Sequence, residues 1–329
     1  MFNNQRILVT GGTGSWGHEL IRQLLPQGPK EIIIFSRSES AQVAMSREFE
    51  DARLSFIIGD IRDKDALTAA CRGVDYVFHL AALKHVPVCE DQPYEALKTN
   101  VVGTQNVIEA AIASNVHKVI YISTDKAANP SNFYGMTKAI GEKLIVYANL
   151  IGSNTRFVTV RGGNVLGTNG SVVHLFMKQI KDKGQVRITD MKMTRFFLTL
   201  RDAITLLFKA SEVSVGGEIF VMTMPTCKIV DLAEVLAVQA ALGGAAQRID
   251  VLFCPPAPLI SATADLVGEG PLLVGAQNCA EIGGSGPFTG EVSAEIMVDA
   301  GAGYIIVGHS ERRGLYGETD IVVRRKAEA

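Results

Sequence analysis

Ile7-Leu-Val-Thr10 runs into Gly11-Gly-Thr-Gly14-Ser-Trp-Gly17 and then into His18-Glu-Leu-Ile-Arg-Gln-Leu-Leu25. The first four residues have the apolar character of a buried strand, and the last eight carry apolar positions at helical spacing. Between them the glycines follow a Gly-x-x-Gly-x-x-Gly pattern. Glycine lets the backbone approach a pyrophosphate at a helix start, where N–H groups and the helix dipole favour an anion. Thr13, Ser15 and Trp16 complete the turn, so Gly11, Thr13, Gly14, Ser15, Trp16 and Gly17 form the candidate dinucleotide cradle. The bland alternative is a tight turn without a ligand, but strand–turn–helix is the context that confirms the pattern.

Working outward, Glu31-Ile-Ile-Ile-Phe35 is a second strand ending in Ser36-Arg37. Arg37 stands where an NAD site usually has an acid for the ribose hydroxyl. Ser36 and Arg37 suit a 2′-phosphate instead, which predicts NADP; otherwise Arg37 is a solvated surface cation. Leu54–Ile58 leads to Gly59-Asp60-Ile61, an acid at a strand end where adenine could be read. Asp75–His79 is the next strand, and Ala81 and Ala82 after it are small enough for a ribose and nicotinamide to lie close. His79, inside an apolar strand, reads as a satisfied core histidine. Asn100 begins a helix, either to anchor a water network at the site or to cap the helix. Four strand–helix alternations before residue 125 predict an α/β fold with a doubly wound parallel Rossmann sheet.

Val119-Ile-Tyr-Ile122 is a strand delivering Ser123-Thr124-Asp125-Lys126 to the carboxyl edge, where open α/β sheets place ligands. Tyr134 and Lys138, four apart on one helix, can face the same cleft. A tyrosine beside an ammonium is a usable base near neutral pH. Surface helices also carry such pairs by chance; the upstream cradle argues against that here.

Composition excludes several classes. A chain of 329 residues with 47% hydrophobic residues can bury a full α/β core. A net charge of −2 offers no electrostatic case for nucleic acid or an anionic membrane. Five cysteines without a Cys-x-x-Cys read as reduced thiols, and no metal site is expected. A strand directly after Met1 and the lack of an 18-residue apolar run predict a cytoplasmic protein without a membrane span.

Thr10–Gly17, Asp60, Ala81–Pro87, Thr124–Lys126 and Tyr134–Lys138 together resemble an extended short-chain dehydrogenase/reductase. Ala-Ala-Leu-Lys-His-Val-Pro87 with Ser-Thr-Asp-Lys-Ala127 narrows the resemblance to the inverting UDP-N-acetylglucosamine 4,6-dehydratases, over residues 1–237. The resemblance implies a UDP-sugar substrate, NADP and a homo-oligomer, in the route to pseudaminic acid-type bacterial surface sugars. It implies catalytic roles for Thr124, Asp125, Lys126, Tyr134 and Lys138, cofactor contacts at Ile61 and Lys84 besides those above, and substrate contacts at Lys84, Asn164, Val165 and Arg195. Tyr134 would take the 4-hydroxyl proton, Lys126 the C5 proton with inversion, and Asp125 would protonate the departing 6-hydroxyl. His174 stands where the family usually has proline.

From Val238 the sequence changes kind. Residues 238–329 resemble triosephosphate isomerase from its second to its fourth strand and helix, with His309 and Glu311 at its electrophile segment. The first strand with its lysine, the carboxylate base and the phosphate loops of that family have no counterpart. An incomplete barrel, inactive as an isomerase, is expected. The uridine-holding turn that follows residue 237 in the dehydratases is also missing. The alternatives are a nucleotide-sugar epimerase, which needs Tyr134 and Lys138 but has less use for Asp125-Lys126, and a non-catalytic NADP-binding chimera.

Overall fold

The computed structural model describes residues 1–166, 172–242, 251–268, 272–284 and 286–329, with no side-chain account of 238–242. It divides into two compact units, residues 1–170 with 200–224 and residues 171–199 with 225–329.

The first unit is built on a seven-stranded sheet. Its strands are β1 (Arg6–Thr10), β2 (Glu31–Ser36), β3 (Leu54–Ile58), β4 (Tyr76–His79), β5 (Lys118–Thr124) and β6 (Arg156–Gly162), with Ile219–Val221 at one edge. The order is β3-β2-β1-β4-β5-β6 followed by Ile219–Val221, and every pairing is parallel. Strands covered by helices on both faces must be apolar at consecutive positions, not alternate ones. Ile7, Leu8 and Val9 accordingly show no exposure at all.

This order fixes where a ligand can bind. From β1 the chain builds outward through β2 and β3, then returns to place β4 on the other side of β1. The loops leaving β1 and β4 therefore diverge at adjacent carboxyl ends, opening the crevice where such sheets bind nucleotides. The helix Phe133–Ala148 packs on β5 and β6. It starts at Asn132, whose side chain accepts from Gly135 N at 2.8 Å.

In the second unit Thr194–Leu198 pairs antiparallel with Thr226–Lys228. Further on, Val251–Phe253, Leu272–Ala276 and Tyr304–Ile305 form a parallel sheet in sequential order. Ile260, Val267, Val274 and Met297 pack as its core. Sequential parallel order is the succession of a (βα) barrel, of which the described residues supply three strands. Thr319 caps the final helix, Asp320–Glu328.

Candidate functional site

The glycine turn has the geometry expected of an anion cradle. Gly11 has φ +70, and a Cβ there would lie 2.7 Å from Ala81 Cα, so the loops after β1 and β4 touch backbone to backbone. A Cβ on Gly17 would lie 1.8 Å from Gly12 O, a collision that only glycine avoids. Gly14 is the N-cap of the helix Ser15–Leu24 and provides no side-chain cap. That start is left for a diphosphate to neutralise, so the residues fit a dinucleotide. Trp16 reaches across to β6, where a Cβ on Gly162 would lie 3.5 Å from its ring. Thr13 and Ser15 are half-buried in the same turn, and Ala82 is half-buried beside Ala81.

The neighbouring loops are tied to this turn by a buried polar chain. Thr10 Oγ1 is 2.7 Å from His79 Nδ1, and His79 Nε2 is 3.1 Å from Thr104 Oγ1. Thr104 Oγ1 donates its own proton to Asn100 O at 2.7 Å. It must therefore accept from His79, which sets the Nε2–H tautomer and makes Thr10 the donor to Nδ1. Burial, with the Lys138 charge nearby, holds His79 down to about 3. His79 is thus a neutral structural bridge. Asn100, buried in a π-turn over Lys98–Val102, clamps Leu83 by accepting from its N–H at 2.8 Å and donating to its carbonyl at 2.9 Å. It also donates to Thr137 Oγ1 at 3.0 Å. Asn100 is therefore a clamp between the Ala81–Lys84 loop and the Tyr134 helix, rather than a simple cap. Nothing in its sequence context distinguishes that role.

At the end of β5, Thr124, Asp125 and Lys126 come together. Thr124 Oγ1 donates to Asp125 Oδ1 at 2.8 Å, and Lys126 Nζ donates to the same oxygen at 3.1 Å. Lys126 Nζ also reaches Asn164 Oδ1 at 3.4 Å, bringing one residue expected to touch the sugar beside the acid–base pair. Val165 follows on the same short strand, and Lys84 is exposed at the end of its loop. Tyr134 is half-buried. Burial pushes its phenol up to about 12, against a hydrogen bond with Thr124, and the Asp125 carboxylate adds to the rise. Lys138, 3% exposed, is pulled down to about 7 by burial, partly offset by Glu142. Its ammonium lies 4.0 Å from the centroid of the Tyr121 ring. The sequence predicts a phenol drawn down by its lysine; desolvation of both groups outweighs that effect here.

Two expected contacts are already engaged within the protein. Asp60 accepts from Arg62 Nε at 2.8 Å, Nη2 at 2.6 Å and N at 3.0 Å. The carbonyl of Ile61 accepts from Asn106 Nδ2 at 2.9 Å. Arg195 lies in the other unit, on Thr194–Leu198, with Nη1 donating to Thr194 O. Of the stretch that follows Asn164 and Val165, residues 167–171 lie outside the described residues. His309 is exposed, and its Nδ1 accepts from Glu311 N at 3.2 Å as the cap of Ser310–Tyr316. Among the described residues no cluster could hold a metal ion, and no helix is long and apolar enough to cross a membrane.

Residues 7–254 match the family model described as polysaccharide biosynthesis protein, and residues 226–329 match that of triosephosphate isomerase. An inverting UDP-N-acetylglucosamine 4,6-dehydratase of Campylobacter jejuni is 48% identical over 241 residues, 72% of each chain. A UDP-glucose 4-epimerase of Rickettsia rickettsii is 44% identical over 242 residues, 72% of this chain and 71% of its own. Among solved structures, Pen from Bacillus thuringiensis shares 43% identity with a TM-score of 0.72, over 73% of this chain and 75% of its own. DesIV, a dTDP-glucose 4,6-dehydratase from Streptomyces venezuelae solved with NAD and TYD bound, shares 26% identity with a TM-score of 0.66, over 72% and 81%.

These findings overturn the expectation of NADP, and with it that of an NADP-dependent dehydration: the similar dehydratase DesIV is solved with NAD. The structure supplies a physical reason. Ser36 is buried, and its hydroxyl accepts from Gln42 Nε2 at 3.0 Å, an amide that also bonds Ser36 O and Ile57 O. Burial, rather than that bond, takes the serine read as a phosphate ligand away from solvent, and exposed Arg37 alone does not make a 2′-phosphate site. The chain belongs to the polysaccharide biosynthesis protein family, as a nucleotide-sugar dehydratase/epimerase-type enzyme of the extended short-chain dehydrogenase/reductase superfamily carrying a triosephosphate isomerase-like C-terminal segment.

Proposed function

We propose that the chain is an NAD-using 4,6-dehydratase of a UDP-linked N-acetylhexosamine. The observation that carries this reading is the Lys126–Asp125 contact of 3.1 Å beside Asn164. Elimination of water needs a neutral base and a protonated acid at the same moment. One proton passing from Lys126 Nζ to Asp125 Oδ1 provides both. Lys126 then removes the hydrogen next to the sugar ketone, and Asp125 protonates the departing hydroxyl. Tyr134 takes the proton of the hydroxyl that becomes the ketone as the phenolate, having first given up the proton that burial holds on its phenol, with Thr124 orienting the oxygen and Lys138 supplying positive charge behind it. Gly11, Thr13, Gly14, Ser15, Trp16 and Gly17 would hold the diphosphate of NAD, with Ala81 and Ala82 along its nicotinamide half. Held there, NAD would supply the hydride acceptor for that oxidation and the hydride donor for the final reduction.

Asn164, Val165 and Lys84 are the proposed sugar-nucleotide contacts. The dehydratase-like part is taken to end near residue 237, and the isomerase-like part to occupy 238–329. In the latter His309 serves as a helix cap. The epimerase reading is favoured by the Rickettsia relative. Mass spectrometry of UDP-N-acetylglucosamine incubated with the protein and NAD separates the two. A product lighter by one water supports dehydration, and a product of unchanged mass with altered C4 configuration overturns it.

A further inference from the structure

Glu142 follows Lys138 by one helical turn, so the two side chains are neighbours on one helix face. It is 3% exposed, a placement a carboxylate tolerates only with a partner. The partner comes from the next layer. Arg161 on β6 donates to it from Nε at 2.7 Å and Nη2 at 2.6 Å, a two-pronged bond that holds the carboxylate in one orientation. On its other side the lysine ammonium meets the ring of Tyr121, which is neutral. We propose that Glu142, tethered by Arg161, is the positioning residue that sets the protonation of Lys138, so that the strand neighbouring the catalytic one governs the charge of the site.

The proposal rests on Lys138 serving the reaction described above. It adds that, against the depression burial imposes on Lys138, one carboxylate tethered by one guanidinium restores part of the lysine's hold on its proton. Glu142 favours the ammonium, and Arg161 withdraws part of that support.

Several of the ionisable groups on elements packed against this helix have other partners. Asp125 and Lys126 pair with each other. On the segment leading to Asn100, Lys98 pairs with Glu95 and stacks over Tyr94. Glu90 accepts from Phe133 N, Cys89 donates to Leu83 O, and Glu109 pairs with Lys64. Tyr134 lies one turn before Lys138, and neutral His79 faces it from β4. Asp91 ends the packed helix Val86–Asp91, Lys143 and Arg156 lie on this helix and on β6, and Lys118 on β5 bonds Ser211 O; Glu142 is the acid one turn from the ammonium on its own helix.

The test reads Lys138 directly and needs no turnover. The full chain is labelled with 13C at lysine Cε, and the Lys138 resonance, assigned by its loss in Lys138→Met, is followed against pH. In Glu142→Gln the midpoint should fall by about one pH unit, and in Arg161→Gln it should rise by about as much. Folded variants with unmoved midpoints would overturn the proposal and leave the pair a structural brace. Should neither amide variant fold, Glu142→Asp keeps the charge but withdraws it from Lys138, and a lowered midpoint is again required. A protein that shows these shifts yet leaves UDP-N-acetylglucosamine unchanged would retain the electrostatic device and lose the dehydratase reading.

Discussion

The ammonium of Lys138 sits 4.0 Å from the centre of the Tyr121 ring, so a buried cation rests on an aromatic face in the interior of the sheet–helix layer. A ring face offers a buried cation only part of what water would, and burial lowers the proton affinity of Lys138 from 10.5 to about 7. Between those values the unfolded chain binds more protons than the folded one, so stability rises with pH across this window. Below about 7 the full penalty applies. Lys138→Met should therefore be more stable than the wild type at pH 6, by roughly 2–4 kcal/mol after loss of the ring contact. The advantage should shrink steadily towards alkaline pH. Urea unfolding at several pH values measures it, and a pH-independent difference would contradict the assignment.

Gly17→Ala tests the cradle. The new Cβ would meet Gly12 O at 1.8 Å, which the backbone cannot accommodate without opening the turn. The variant should lose roughly 1–3 kcal/mol of stability and at least about tenfold in NAD affinity. Calorimetric titration of folded variant with NAD reads the second effect; unchanged affinity would place the dinucleotide elsewhere.

Asn100→Ala removes two bonds to Leu83 and one to Thr137. Two of the three abandoned groups are backbone atoms of a loop touching the glycine turn, so about 2–3 kcal/mol of stability should be lost. NAD binding should weaken in parallel, because the Ala81–Lys84 loop is released from the Tyr134 helix. Loss of stability with full NAD affinity would show that the clamp serves the fold alone.

Cofactor choice is a sharper test of the Ser36 finding. With Ser36 buried at the end of β2, NAD should bind at least about tenfold more tightly than NADP. Competitive titration decides it, and tighter binding of NADP would mean that Arg37 suffices for the 2′-phosphate.

The sheet was legible in the sequence because strands buried on both faces leave continuous apolar runs, and because glycines at 11, 14 and 17 announce a turn of one kind. The placement of Thr124 at the end of β5, and of Tyr134 and Lys138 one turn apart on a helix, could be read from an apolar strand run and from four-residue spacing. Ser36 misled because a sequence shows a hydroxyl but not its burial. The Asn100 clamp and the Glu142–Arg161 pair escaped for a related reason. Each joins residues distant in sequence or on separate layers, through side chains whose polarity reads as ordinary helix surface. The elevated phenol of Tyr134 was hidden too, since burial is a property of the packed chain.

The central claim is that Lys126 and Asp125 carry an elimination. It is tested most directly by incubating the protein with NAD and UDP-N-acetylglucosamine in D₂O and reading product mass and label position, for the wild type and for Lys126→Ala. The account predicts a wild-type product lighter by one water with solvent deuterium at C5, and no such product from the variant although it still binds NAD. Water loss surviving in Lys126→Ala, or wild-type protein that binds NAD and returns the sugar unchanged, would contradict it.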